Sequence, residues 1–327
     1  MTSGALHGGV DLGGTKIQTV VLGARGKVLG EAREQTPTSG GPEAVTDAIA
    51  RSMREAARAA GVEPPALAGI GVGSPGEVDG EAGTVAQARN LPDWDEAFPF
   101  AGRLAEALGT RVTVSNDVRV ATQAEFKLGA GKPYRSVLGV FWGTGVGGGL
   151  ILGGRPWLGR GAAGEIGHTV VKINGRRCGC GRHGCLEAYA GRASMENKAR
   201  RLVADGQRTD LFSIMEKRGR TRLTSGVWER ALARTDPVAT HLINQAVEAL
   251  GAGIASALNL LDVEAVIIGG GLGTRLGEPY VARIRDAMMP HLFVDSRPPA
   301  VLLATLGDLG GAIGGALLAR NARNRSR

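Results

Sequence analysis

No stretch of the 327 residues reaches the roughly 18 uninterrupted apolar residues expected of a membrane-crossing helix. The opening segment, MTSGALHGGVDLGG, lacks a basic region followed by an apolar core, so no secretory leader is expected and the cytoplasm is the expected compartment. Cysteine is scarce, with only three in the chain, all between positions 178 and 185. An odd number in that compartment disfavours a disulfide framework. What remains is the composition of an ordinary soluble globular protein, 43% hydrophobic and 21% charged. The length suffices for two packed lobes or one large α/β domain.

Glycine is the abundant residue, with 53 copies. These cluster in short runs at the ends of β-branched stretches, where backbone turns sharply or approaches a ligand. Such runs suit a protein that binds phosphates with main-chain amides. The formal charge of +8 raises a nucleic-acid reading. Against it, the arginines are scattered over Ala-rich helical stretches such as Arg51 to Arg58, and the run Arg320 to Arg327 reads as a frayed tail. Neither a nucleic acid nor a membrane is an expected partner; steering of anionic substrates is the better use of the charge.

The segment VDLGGTKIQTVVLGARGKVLGEA reads as strand, Gly-Gly-Thr turn, strand, reversal, strand. A helix follows over 43–60, with Val45, Ile49 and Met53 on one face and Gly61 past its end. ALAGIGVGSPG reads as a buried strand, 100–109 as a short helix and RVTVSND as a strand. The pattern then returns in SVLGVFWGTGVGGGLILGGRPWLG. Gly13 meets Gly143, Leu22 meets Leu152 and Gly23 meets Gly153 at one offset, which suggests two halves on one plan. A long helix over 237–258, the strand and third glycine turn of AVIIGGGLG, and a final helix complete the chain. The fold class is α/β, as two duplicated mixed-sheet lobes. Residues 1–117 plus about 312–327 are expected as a small lobe, and 118–311 as a large lobe holding the cysteine loop.

Gly13-Gly14-Thr15-Lys16 lies between two strands, which argues against a dinucleotide fingerprint, where a helix follows the glycines. GTGVGGG at 143–149 fails the same test. Both fit hairpin turns whose amides and Thr15 or Thr144 hydroxyls bind phosphate oxygens, although tight β-turns with no ligand would read alike. In Cys178-Gly-Cys180-Gly-Arg-His-Gly-Cys185, three thiolates converge and need a fourth ligand for tetrahedral zinc. His168 is the first candidate and His183 the alternative. Three sulfurs and one nitrogen close the shell, so such a metal is structural. Asn116-Asp117 ends an apolar strand. A carboxylate there can accept a proton from a hydroxyl attacking phosphorus. Equally, Asp117 can cap a helix beginning at Val118, and taken alone that is the better reading.

Together, Asp11-Leu-Gly-Gly-Thr-Lys16, Gly73-Ser-Pro-Gly76, Asn90-Leu-Pro-Asp-Trp94, Asn116-Asp117, Gly143-Thr-Gly-Val-Gly147, Ala163-Gly-Glu-Ile-Gly-His168 and CGCGRHGCLE resemble the ROK family of repressors, open reading frames and sugar kinases. The resemblance runs over nearly the whole chain. It implies an actin-like ATPase (ribonuclease H-like) fold that binds ATP and a hexose between two lobes, and it reverses the capping reading of Asp117. Asp117 is then the base for the sugar hydroxyl, most often that at C6. Gly73, Asn90, Asn116, Glu165, His168 and Glu187 are the implied sugar-site residues. Gly13, Gly14, Thr15, Lys16, Gly143, Thr144 and Gly145 are the implied binders of ATP phosphates with Mg²⁺, which Asp11 helps to position. Gly270 and Gly271 would lie against the nucleoside. His168, Cys178, Cys180 and Cys185 are the implied zinc ligands, leaving His183 as a loop side chain. One nitrogen of His168 on zinc would fix the other as an N–H donor to the sugar.

Two departures stand out: Ala88-Arg89 precedes Asn90 where a small residue and Pro are expected, and Tyr189-Ala-Gly-Arg192 replaces a Ser-Gly ending. The stretch 203–236 is charged and variable-looking. Ten residues precede Asp11, too few for the helix-turn-helix of the family's repressors, so a kinase is expected over a repressor or a sugar sensor. Glucose is the first acceptor, with N-acetylglucosamine, N-acetylmannosamine, mannose or fructose behind it and polyphosphate as a minor alternative donor. A homodimer or homotetramer, and lobe closure on sugar, are further implications.

Overall fold

The computed structural model of the protein describes residues 5–325. The first four and last two residues of the expected small lobe lie outside them. The chain divides into two compact units, residues 1–132 with 305–327 and residues 133–304.

In the first unit, β1 (His7–Leu12) and β2 (Lys16–Leu22) form a hairpin closed by the Gly13 amide donating to the Lys16 carbonyl at 3.0 Å. β3 (Val28–Gln35) extends it antiparallel. Helix α1 (Gly41–Ala59) buries Val45, Ile49, Met53 and Ala56, a spacing that puts all four on one face. β4 (Ile70–Ser74) is buried throughout, as befits a strand covered on both faces. A short ribbon of β5 (Glu77–Asp79) and β6 (Thr84–Ala86) precedes α2 (Phe100–Leu108), β7 (Val112–Asn116) and α3 (Asp117–Leu128). The sheet order is β3-β2-β1-β4-β7, with β1, β4 and β7 mutually parallel.

The second unit begins with β8 (Val137–Trp142), β9 (Val146–Leu152) and β10 (Arg155–Pro156). Helices α4 (Glu187–Ala190), α5 (Arg192–Ala204), α6 (Leu211–Lys217), α7 (Ser225–Ala233) and α8 (Pro237–Leu261) follow. β11 (Ala265–Gly269), α9 (Gly270–Leu276), α10 (Glu278–Met288) and β12 (Ala300–Leu303) complete it. Its sheet order, β10-β9-β8-β11-β12, repeats that of the first unit, with the same alternation of antiparallel and parallel pairs. Adding 130 to the bounds of β1 and β2 gives those of β8 and β9. The expected duplication is therefore present in topology as well as in the turns. The charged 203–236 stretch is ordered as α6 and α7. The buried Asp236 carboxylate caps α8 through the Ala239 amide at 2.8 Å and accepts the Thr209 hydroxyl at 2.9 Å.

The chain returns to the first unit as α11 (Gly310–Arg325). Most of the basic run read as a frayed tail is thus helical. The unit boundaries also fall elsewhere than at 117 and 312. Helix α3 stays with the first unit because the buried Glu125 carboxylate accepts the Leu306 amide at 2.8 Å and the Ala130 amide at 3.0 Å, tying it to the returning chain.

Helix α11 lies directly on the backbone of β1 and β4. A Cβ on Gly9 would strike the Ala312 carbonyl, and one on Gly71 the Gly315 carbonyl. These glycines therefore serve helix-on-sheet packing and not turns. Gly71→Ala is expected to cost about 3 kcal/mol in denaturant unfolding, since overpacked backbone cannot yield cheaply. Gly102→Ala, on an exposed face of α2 with open space around it, is expected to stabilise by about 0.5–1 kcal/mol. Equal effects at the two sites would contradict this packing account.

Candidate active site

In the first unit the residues singled out from the sequence gather at the C-terminal edge of the parallel strands. Asp11 on β1 is in register with Gly73 on β4, which is in register with Ser115 on β7. Asn116 and Asp117 come next. Gly73 has no room for a side chain: a Cβ there would lie 2.6 Å from Val120 Cγ2 and 3.2 Å from the Asp117 Cα. Its lack of one lets the start of α3 settle onto the sheet.

The cap of α3 is Asn116, not Asp117. The Asn116 side-chain oxygen accepts the Val118 amide at 3.1 Å and the Arg119 amide at 3.3 Å, and its backbone is extended. Asp117 is the first helical residue, with Oδ1 accepting the Val118 amide at 2.9 Å. The half-buried Asp11 pays for this arrangement: burial first, then the charge of Asp117, push its carboxyl up to about 7, with Asp308 adding to the rise and Lys16 opposing it.

The 13–16 turn is buttressed from far along the chain. The Thr36 hydroxyl donates to the Gly13 carbonyl at 2.6 Å, and Lys16 Nζ pairs with Asp308 at 2.9 Å. Gly14 lies on the backbone of the exposed Asn90, since a Cβ would sit 2.8 Å from the Asn90 carbonyl. Exposed Thr15 tops the turn. The loop carrying Asn90 is anchored by buried Trp94, whose indole N–H donates to the Val85 carbonyl at 3.0 Å and whose ring meets Phe98 and Phe100 edge-on.

In the second unit the matching turn is closed by the Gly143 amide on the Gly145 carbonyl at 2.9 Å, with Thr144 exposed at its tip. Gly270 and Gly271 lie beside it: Gly270, at φ 80°, sits on the Trp142 backbone, and a Cβ on Gly143 would be 3.8 Å from the Gly271 amide. This third glycine turn opens directly into α9, unlike the hairpin turns at 13–16 and 143–145. The segment carrying exposed Glu165 and half-buried His168 lies on β9, where Gly164 and Gly167 approach the backbone of Gly148 and Val146.

The cysteine loop comes together as expected. His168, Cys178, Cys180 and Cys185 offer four ligand atoms all within 4.8 Å of one another. Cys178 Sγ lies 3.9 Å from His168 Nδ1, and Cys180 Sγ lies 3.7 Å from Cys185 Sγ. A tetrahedral site with metal–sulfur bonds of about 2.3 Å has ligand–ligand edges of about 3.7 Å, so the four residues could hold a metal. His183 is excluded from the set: its Nδ1 faces the Gly175 carbonyl at 3.1 Å, outside the cluster. Burial pushes the Cys178 thiol up to about 12 and raises Cys185 as well. Burial also opposes ionisation of Cys180, but the Arg182 amide and the two neighbouring thiols outweigh it and bring that thiol down to about 7. Three thiolates would need a cation to coexist here.

Glu187 joins the loop to the turn. Its Oε2 accepts the Val146 amide at 2.9 Å, and the Cys178 thiol donates to its Oε1 at 3.8 Å. The sequence reading missed what flanks the turn on the other side. Arg192 donates to the Thr144 hydroxyl at 2.9 Å and to the Ser225 hydroxyl at 2.8 Å. Only the unusual Tyr189-Ala-Gly-Arg192 spelling pointed there. Nothing local marked Ser225, Thr36 or Asp308.

The sequence profile of the ROK family matches residues 7–322. A glucokinase from Streptomyces coelicolor is 36% identical over 316 residues, covering 95% of this chain and 96% of that protein. An N-acetylgalactosamine kinase from a Shewanella species is 31% identical over 324 residues, covering 96% of each. Among solved structures, a ROK family glucokinase from Streptomyces griseus in complex with glucose and AMPPNP superposes with a TM-score of 0.81 at 32% identity. That match covers 97% of this chain and all of the other.

The raised pKa of Asp11 has a stability consequence. Its folded value of about 7 lies above the ordinary 3.8, so the folded state binds the proton more tightly and loses stability as pH rises between the two. In buffer free of divalent cations, Asp11→Asn is expected to be about as stable as the parent at pH 4 and about 4 kcal/mol more stable at pH 8. A stability difference that does not change with pH would contradict the raised pKa of Asp11.

Proposed function

The chain belongs to the ROK family, and we propose on that premise that it is an ATP-dependent hexose kinase with glucose as preferred acceptor and Asp117 as general base. The observation that carries the chemistry is the division of labour at 116–117. Asn116 is the cap and Asp117 the first residue of α3 at the strand edge, which supports reading its carboxylate as the proton acceptor. As the sugar C6 oxygen attacks the γ-phosphorus, its proton passes to Asp117, the new P–O bond forms, and the bond to the leaving ADP oxygen breaks. The products are a hexose 6-phosphate and ADP. The glucokinase relatives, one of them bound to glucose and AMPPNP, support both substrates.

By resemblance to the family, Asn90, Asn116, Glu165, His168 and Glu187 are the proposed sugar contacts, with Gly73 leaving room for the start of α3 at Asp117. The turns 13–16 and 143–145 are the proposed phosphate binders, and Gly270 and Gly271 the nucleoside contacts. The desolvated Asp11, raised by burial and by Asp117, fits the neighbourhood of a divalent cation. Magnesium carried with the nucleotide would neutralise charge on the phosphates. Zinc is the proposed occupant of the His168, Cys178, Cys180 and Cys185 cluster, where all four positions are filled by protein. His168 presents Nδ1 to that cluster, which would leave Nε2 as the donor toward a sugar hydroxyl.

Among the described residues no helix is long and apolar enough to cross a membrane, in keeping with the cytoplasm proposed as the protein's compartment. Exposed Phe293 (90%) and Leu260 (83%) in the second unit support self-association as a homodimer or homotetramer.

Asp117→Asn should bind glucose with little change while kcat falls by roughly three or more orders of magnitude. Near-normal turnover would remove Asp117 from the role of base. Purified protein should carry about one zinc per chain by elemental analysis. Stripping that metal should raise the KM for glucose before the protein unfolds; fully active enzyme without zinc would end the metal assignment.

A further inference from the structure

Arg192 is a cation without an anion. Its guanidinium spans two neutral hydroxyls, those of Thr144 and Ser225. Among the described residues it forms no ion pair. The one carboxylate whose charge reaches it, Glu196, is already taken by Arg200 at 2.7 Å, Arg222 at 3.3 Å and the Leu223 amide at 2.9 Å. Burial first, and then repulsion from Arg222, lower the pKa of Arg192 from its ordinary value. An uncompensated, partly desolvated guanidinium is costly to the folded protein unless something anionic visits it.

Its position says which anion. The backbone of α5 begins on the glycine turn itself, where the Arg192 amide donates to the Gly143 carbonyl at 3.1 Å and the Ala193 amide to the Thr144 carbonyl at 3.0 Å. The side chain then runs from Thr144, at the tip of the proposed phosphate turn, to Ser225. A Cβ on Gly271 would lie 3.6 Å from the Ser225 hydroxyl, so Ser225 borders the proposed nucleoside contacts. The guanidinium therefore stands between the phosphate-binding and nucleoside-binding parts of one unit, where the inner phosphates of a nucleotide belong.

From this geometry we propose that Arg192 binds the α- and β-phosphates that ATP and ADP share, holding the nucleotide by a charge-assisted fork of N–H donors. The inference rests on the ATP-dependent reading and deepens it. Arginine suits the task because its planar donors match two phosphate oxygens at once. Holding Arg192 on Thr144 and Ser225 before the nucleotide arrives orients the fork in advance.

Binding of ADP and of adenosine to the full-length protein, measured by calorimetry, tests this alongside steady-state kinetics. Arg192→Met should weaken ADP and raise the KM for Mg·ATP by roughly 10- to 100-fold, the range for losing a charged hydrogen-bond donor. Adenosine affinity and the KM for glucose should stay within about threefold. Arg192→Lys keeps the charge without the fork and should fall between; it also carries the test if the methionine variant does not fold. Ser225→Ala separates binding from bracing. If Arg192 only straps the turn to α7, Ser225→Ala reproduces the loss and adenosine weakens in parallel, and the proposal is overturned. Unchanged ADP affinity in Arg192→Met overturns it as well. Failure of the wild-type protein to phosphorylate any hexose would instead strike the kinase reading, because ADP binding reports on Arg192 without an acceptor.

Discussion

Two carboxylates and one glycine at the ends of three parallel strands set the terms for the first unit. Asp11 and Asp117 are close enough for one to raise the pKa of the other, and Gly73 lies in the strand between them. A carboxylate spent on capping a helix has less freedom to accept a proton. Asn116 eases that conflict by accepting the Val118 and Arg119 amides, so Asp117 shares only the Val118 amide, through Oδ1. The cost falls on Asp11, which is left desolvated beside a like charge. A carboxyl shifted in this way by burial and a like charge is a mark of functional sites.

The second unit carries its tension in Glu187. One oxygen holds the amide that follows the glycine turn, and the other receives the Cys178 thiol. The His168/cysteine cluster and the turn are thereby mechanically joined through a single side chain. The glycines at 164 and 167 press the His168 segment onto the same strand that leaves the turn. A disturbance of the cluster would reach Cys178 and His168 together and, through Glu187, the 143–145 turn. The cysteine loop is better understood as the support of the glycine turn than as a separate staple.

Periodic and covalent-spacing signals survived the passage from sequence to structure. The offset between Gly13 and Gly143 is the same 130 residues that relates the strands of the two sheets. The clustering of cysteines marked the loop, and among the described residues it is His168, not His183, that lies with the three thiols. What escaped were contacts made at long range. Thr36 and Asp308 brace the first turn from far along the chain, and no local motif can announce them. The glycines at 9, 71 and 315 look like turn formers by composition, yet they exist because a helix lies on bare backbone. The unit boundary was misplaced for a related reason: the Glu125 carboxylate, a tertiary contact, binds α3 to residues at the far end of the chain.

The central claim is the transfer of phosphate from ATP to the 6-hydroxyl of a hexose. Incubating the purified protein with Mg·ATP and a panel of hexoses, with kcat/KM for each and phosphorus NMR of the product, tests it most directly. The expected result is glucose 6-phosphate and ADP in equal amounts, with glucose giving the highest kcat/KM. ATP consumption that no hexose stimulates, or a phosphate placed on a hydroxyl other than that at C6, would contradict the account.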